Sequence, residues 1–291
     1  VNLADHNRAT AQILTSIPSN PDPTMSLFHL ILVAVIQGIT EFLPISSSGH
    51  LILVPKLTGL EDQGLLIDVA VHFGTLFAVV LFFWRDVRAA LFGLGRLARG
   101  KIDTDGARLA WLLIIATIPV MVLGLIVQVT GLADAMRSIA VIGWSMLVFG
   151  LVLYWADQTG GEAKTDADWT LKDAVLMGLW QAVALIPGTS RSGITITAAR
   201  QLGYQREGGA KLSMLMSIPT ILVAVGLLLL DILASGDYSR LPDAGFAAGL
   251  AFVSALASLS LMFRLMKSVS FTPYVIYRIV FGIILLVIAY S

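Results

Sequence analysis

Two long apolar segments of this chain are interrupted in mid-course by polar residues, and no other feature limits its fold so tightly. The first runs from Leu27 to Lys56 and is broken by Gln37, Glu41, Pro44 and the run Ser46-Ser47-Ser48-Gly49-His50. The second runs from Ala174 to Gln201 and is broken by Gln181, Pro187-Gly188 and Arg191. A straight helix at membrane depth would turn these groups toward lipid, where nothing can satisfy them. A helix that enters part-way, turns at Pro or Gly and leaves on the same side shelters them in protein instead. Each segment is therefore expected to form a re-entrant helical hairpin.

The rest of the chain calls for a membrane. Of 291 residues, 57% are hydrophobic and 13% charged, against roughly half and a quarter in soluble domains. Six uninterrupted apolar stretches are each long enough, at about 20 residues, to cross a hydrocarbon layer about 30 Å thick. They run from Ile67 to Trp84, Leu109 to Val129, Ser138 to Ala156, Leu212 to Asp231, Ala244 to Phe263 and Pro273 to Tyr290. Short loops join them, so residues 25–291 are read as a single membrane domain with no second core. Residues 1–24 are polar, contain Pro18, Pro21 and Pro23, and lack the basic-then-apolar layout of a signal peptide. They are expected to be a disordered tail, with Met25 as the functional start. Zero net charge without a basic stripe gives no footprint for nucleic acid. The absence of cysteine removes thiolate ligands, so any metal must sit on oxygen or imidazole. Nothing in the sequence defines an oligomeric state.

The two broken segments resemble each other. At an offset of 144 (181 minus 37), Gln37 aligns with Gln181, Ser46 with Ser190, Ser48 with Ser192 and Gly49 with Gly193, without a gap. Each copy, about 27–156 and about 173–290, holds one hairpin and three full crossings. An odd number of crossings inserts the second copy upside down, so the expected fold is an all-α integral membrane protein with an inverted-topology repeat, six transmembrane helices plus two re-entrant helical hairpins. The segment from Arg85 to Arg108 carries Arg85, Arg88, Arg96, Arg99, Lys101 and Arg108, which makes it cytoplasmic by the positive-inside rule. The more basic loops 157–172, 200–211 and 264–267 then fall inside, while 130–137 and 232–243, with one basic residue each, fall outside with both termini. The hairpins enter from opposite faces, and their polar turns are expected to meet near the midplane.

An ionised side chain there costs roughly 2.5–3.5 kcal/mol on insertion scales, so Glu41 and Arg191 need partners or a purpose. Gln37 and Glu41 are four residues apart and share a helix face, where they can hold a cation, a hydroxyl or simply each other. The three serines followed by Gly49 and His50 offer hydroxyls, amides at a helix start and an imidazole, a set that suits an anion. In soluble proteins such a run is more often a cap or linker, but a linker in mid-membrane makes no sense. In the second hairpin, glycines allow close backbone approach and Arg191 can grip two phosphate oxygens, or else pair with Glu41 across the repeat. His72, alone in an apolar crossing, is read as satisfied by a neighbouring backbone or hydroxyl group and is left out of the site.

Two motifs, Gln37-Gly38-Ile39-Thr40-Glu41-Phe42-Leu43-Pro44-Ile45-Ser46-Ser47-Ser48-Gly49-His50 and Pro187-Gly188-Thr189-Ser190-Arg191-Ser192-Gly193-Ile194-Thr195, resemble those of the bacterial undecaprenyl-diphosphate phosphatases, also called bacitracin resistance proteins. The resemblance runs from about Met25 to the end. It implies hydrolysis of undecaprenyl diphosphate, a lipid carrier of cell-wall synthesis, to its monophosphate and inorganic phosphate. It also implies bacitracin resistance, the bacterial cytoplasmic (inner) membrane, a site opening to the periplasm and a divalent cation, magnesium or alternatively calcium. The implied catalytic residues are Glu41, Ser47, His50 and Arg191, with Gln37, Ser46, Ser48, Gly188, Ser190 and Thr195 binding substrate and Glu41 also binding metal. One departure is Gln37, where some members have a second acid, so a two-carboxylate metal site on that helix is not available. A transporter or lipid flippase using the same midplane site is the rival expectation, because broken helices in inverted repeats are also a transporter plan.

Overall fold

The computed structural model describes residues 26–59, 63–235 and 240–291; the expected tail at 1–24 and Met25 lie outside the described residues. Among the described residues, eleven helices of more than one turn carry the fold, and no strand occurs beyond a single bridge between Lys164 and Tyr204. The first broken segment forms α1 (Leu27–Thr40) and α2 (Ser47–Thr58), the second α7 (Leu171–Ala182) and α8 (Arg191–Gln201). The crossings are α3 (Leu65–Phe82), α5 (Asp105–Val129), α6 (Ile139–Thr159), α9 (Arg206–Ser235), α10 (Leu241–Leu265) and α11 (Thr272–Tyr290). All six are long and apolar enough to span a bilayer.

The expected spans and these helices coincide, but the helices run on into polar sequence. α9 begins at Arg206 rather than Leu212, and α5 at Asp105 rather than Leu109. Hydropathy reports where hydrocarbon ends; the helix ends where its first N–H groups find a cap. Thr104 caps α5 by accepting from Ala107 N, and Ser138 caps α6 by accepting from Val141 N. The basic segment from Arg85 to Arg108, for which no helix was expected, contains most of helix α4 (Trp84–Leu97). Its buried Val87 and Gly93 face α5, and Gly93 and Gly106 touch so closely that a Cβ on either would strike backbone.

Helix pairings recur with the two halves exchanged. α1 packs on α10 and α7 on α5, while α3 packs on α10 and α9 on α5. Small residues make the contacts, as membrane packing favours. A Cβ on Gly38 of α1 would meet Ala251 O at 2.6 Å, and one on Gly178 of α7 would meet Ala116 O at 2.5 Å. Outside this core, Val122 and Leu125 of α5, Leu227 and Leu230 of α9 and Val280 and Val287 of α11 are exposed. Apolar surface on that scale belongs in lipid, not water.

Charged side chains gather at the end of the molecule that carries the basic loops. Asp157, almost fully buried, accepts from Arg206 Nε (2.7 Å) and from the backbone N–H of Phe271 (3.1 Å), and lies 3.4 Å from Arg200 Nε. Arg200 is also buried and donates to the carbonyls of Asp157, Gly160, Gly161 and Tyr204. Nearby, Tyr204 Oη and Lys164 Nζ donate to Asp173 Oδ2 at 2.6 and 3.1 Å. Burial pushes the Asp173 carboxyl up, but the donors Tyr204, Thr170 and Lys164 outweigh it and hold it below its ordinary range. Burial and the Asp173 acceptor raise the Tyr204 phenol, which stays protonated and donating. Lys211 bridges Asp86 (2.8 Å) and Asp166 (2.9 Å). Each cation of this cluster thus has a carboxylate.

Candidate active site

Both helix breaks end in the same local structure. Ser46 (φ 73°) and Ser190 (φ 72°) are the only non-glycine residues with positive φ among the described residues, and they align in the internal similarity. Ser46 Oγ accepts from Gly49 N (3.3 Å) to start α2, and Ser190 Oγ accepts from Gly193 N (3.1 Å) to start α8. A non-glycine residue held there costs of order 1–3 kcal/mol and persists only where the surroundings impose it. Ser192 Oγ, donating to Leu43 O (2.9 Å), ties one break to the other.

Glu41 lies where the breaks meet. Its Oε1 accepts from Arg191 Nη2 (3.0 Å), and its Oε2 accepts from Gln37 Nε2 (2.9 Å) and Ser47 Oγ (2.8 Å). The four-residue spacing of Gln37 and Glu41 thus produces a contact, and the Glu41–Arg191 pair spans the repeat. Arg191 Nη1 also donates to Ser213 O on α9 (3.2 Å). Removing one partner of a pair buried like this leaves an uncompensated charge and costs about 3–5 kcal/mol.

A cavity of about 240 Å³ opens beside them, with Glu41, Ser46, Ser47, Ser48, Ser190 and Arg191 on its polar wall and Thr220, Ile221, Ala224, Val225 and Leu228 of α9 opposite. Its volume lies below the roughly 300–1,000 Å³ of sites that enclose a drug-sized ligand. A head group fits that space; a long lipid tail must lie outside it. Two hollows of about 500 and 280 Å³ lie at the loop end, around the paired Lys211 and around Arg108 and Trp169, and neither touches Glu41, Ser47 or Arg191.

The remaining residues named from sequence divide into groups. Gln37 is fully buried behind Glu41 and does not line the cavity. Thr195, also buried, donates to Arg191 O (2.8 Å) and meets Ser213 Oγ (2.6 Å), so it braces α8 against α9. Gly188, at φ 89°, lies so close to α6 that a Cβ would stand 2.6 Å from Ile142 O. His50 points away from the cavity. Its Nδ1–H donates to Ser46 O (2.7 Å), which leaves Nε2 to accept from Tyr277 Oη (2.5 Å), and its ring stacks on Phe281. The imidazole that reaches the cavity is His72. Its Nδ1 is held by Asp68 O (2.7 Å), and its Nε2 lies 3.9 Å from Glu41 Oε2. The expectation that a neighbouring backbone group satisfies His72 holds at Nδ1, while the approach of Nε2 to Glu41 joins two separate helices and has no signal in the sequence. Among the described residues, no group of three or more acidic, histidine or cysteine side chains clusters as a metal site. Glu41 is the single carboxylate facing serine hydroxyls, a donor set for a hard cation that brings phosphate oxygens with it.

The family model described as Bacitracin resistance protein BacA matches residues 30–284. The chain is 67% identical over 267 residues to the undecaprenyl-diphosphatase of Jannaschia sp. (strain CCS1), covering 92% of this chain and 100% of that protein. It is equally similar, at the same coverage, to the undecaprenyl-diphosphatase of Roseobacter denitrificans. More distantly, it is 44% identical over 263 residues to that of Chromohalobacter salexigens, covering 90% of this chain and 99% of the relative. The match spans both helix breaks and the cavity between them, and the chain belongs to the BacA family of bacitracin resistance proteins.

Proposed function

We propose that this chain hydrolyses undecaprenyl diphosphate to undecaprenyl phosphate and inorganic phosphate, and so recycles the carrier lipid of cell-wall synthesis and confers resistance to bacitracin. The observation that carries the assignment to this cavity is the contact of Ser47 Oγ with Glu41 Oε2, with Arg191 on the other carboxylate oxygen. A nucleophile, a base and a phosphate-binding cation occur within hydrogen-bond reach of one another.

In this mechanism the diphosphate enters the cavity and its terminal phosphoryl group meets Arg191 and the serine hydroxyls. Ser47 Oγ attacks the terminal phosphorus while its proton passes to Glu41. The bond from that phosphorus to the bridging oxygen breaks, and undecaprenyl phosphate leaves with the proton that Glu41 took from Ser47. Water, deprotonated by the ionised Glu41, then attacks the phosphoserine, the phosphorus–Oγ bond breaks, Glu41 returns the proton to Ser47 Oγ, and inorganic phosphate is released. Arg191 stabilises the charge on the equatorial oxygens in both steps. A divalent cation, when bound by Glu41, the serine hydroxyls and the substrate, would neutralise further charge. His50, held by Ser46 O and Tyr277, serves to keep the Ser46 cap in place. Glu41 takes the proton.

Two further readings support where the reaction occurs. The exchanged helix pairings and the paired serine caps support an inverted repeat of two re-entrant hairpins. The cavity is lined by the C-terminal half of α9, whose N-terminal end carries the basic loops. It therefore opens away from those loops, toward the periplasmic face of the bacterial cytoplasmic membrane.

The test is phosphate release from undecaprenyl diphosphate by purified protein, with labelled terminal phosphate chased onto the chain. A labelled Ser47 in quenched wild type supports the covalent route; label-free protein with normal turnover would favour direct attack by water. No release from any prenyl diphosphate would favour the transporter reading instead.

A further inference from the structure

We infer that Arg278, on α11, is a positioning residue that sets the two halves of the active site in register. Its guanidinium is fully buried in the middle of a crossing helix and does not line the cavity. Nη1 donates to Pro44 O (3.2 Å), Nη2 to Gly188 O (3.1 Å) and Ser145 O (3.3 Å), and Nε to Met146 O (3.2 Å). Pro44 and Gly188 stand at the same offset of 144 as Ser46 and Ser190, each two residues before a strained serine cap. One side chain therefore grips the equivalent carbonyl of both helix breaks and ties both to α6.

Only arginine can do this. Its planar fork presents five donors in fixed directions, whereas lysine offers a rotatable point charge. Three residues beyond each gripped carbonyl stands a reacting group, Ser47 after Pro44 and Arg191 after Gly188. The distance between those groups is thus governed by Arg278, together with the Glu41–Arg191 contact. The fit is tight on every side. A Cβ on Gly193 would stand 2.9 Å from Nη1, and one on Gly150 would stand 3.2 Å from Arg278 Cβ and 3.5 Å from Nε.

This inference rests on the site proposed above, so its test carries a control for that site. Full-length protein bearing Arg278→Lys is assayed for kcat, KM and melting temperature beside Ser47→Ala and Arg200→Lys. Arg200 is a second fully buried guanidinium, but it serves the loop end. Misplacement of reacting groups by about 1 Å can cost about 100-fold. Arg278→Lys is expected to lower kcat by about that factor at temperatures where it is folded, with KM shifted by a fewfold at most. Arg200→Lys is expected to lower the melting temperature and leave kcat intact. Recovery of kcat by the lysine, or a loss that only follows the unfolded fraction as in Arg200→Lys, would overturn the inference. Should Arg278→Lys not fold, Gly150→Ala decides, because its methyl group presses on the Arg278 stem at 3.2 Å without removing the guanidinium. A reduced kcat at unchanged KM supports positioning, and an unchanged kcat refutes it. If Ser47→Ala itself keeps activity, the site reading has failed rather than the role of Arg278.

Discussion

Arg200 and Arg278 are both fully buried and both donate to four backbone carbonyls, yet their surroundings differ in charge. Around Arg200 the carboxylates of Asp157 and Glu162 answer the guanidinium, and Arg206 shares both. At the helix breaks, Arg191 is answered by one carboxylate, Glu41, and Arg278 by backbone carbonyls alone among the described residues. The Arg200 cluster of two arginines and two acids is neutral within itself and acts as a clasp. Among the described residues no acid answers Arg278 behind the cavity, and in a low-dielectric interior that unmatched charge favours an anion at the breaks. The same residue type thus serves structure in one place and substrate in the other, and the local count of acids distinguishes them.

Arg191→Ala should break this contrast most severely. By analogy with arginines that stabilise transferring phosphoryl groups, phosphate release should fall about 10³–10⁵-fold, measured as kcat/KM on protein of verified fold. Removing divalent cations with a chelator should come next, with activity falling by about 100-fold and returning on addition of magnesium; full activity in chelator would remove the metal from the account. Asp157→Ala attacks the other region. It leaves Arg200 and Arg206 with only the exposed Glu162 and should cost up to about 3–5 kcal/mol of stability, seen as a lowered melting temperature, while kcat of the folded fraction is retained. The smallest effect concerns acid. Asp173 has a depressed folded-state pKa, so its contribution is present above the ordinary carboxylate range and is lost as pH falls through that range toward the folded value. Melting temperature should therefore hold at neutral pH and decline in acid. Asp173→Asn should flatten that decline and lower stability at neutral pH by about 1–3 kcal/mol.

Much of this contrast was legible in the sequence. Glu41 and Arg191 announced themselves because charge in an apolar run is costly, and the offset of 144 related Ser46 to Ser190. The six crossings followed from runs of about 20 apolar residues. Other features were not legible, for physical reasons. α4 was hidden because its three arginines belong to a basic stretch between crossings, while its packing depends on Gly93 meeting Gly106, a contact between two separate helices. His50 looked like a catalytic imidazole because it follows the serines, and Ser47 and His50 do share a face of α2, but its ring is held by Ser46 O and by Tyr277 on α11, a partner far along the chain. His72 reaches Glu41 only through the packing of α3 against the first break. Arg278 could have been found by the rule that flagged Arg191, since it also interrupts a crossing; its carbonyl acceptors, scattered over four residues in three parts of the chain, could not.

The most direct test of the central claim is turnover of undecaprenyl diphosphate by wild type and by Ser47→Ala, with both proteins purified intact and matched in melting temperature. The account predicts phosphate release by wild type and a loss of at least about 10³-fold in the variant. Equal release by the two proteins would contradict it.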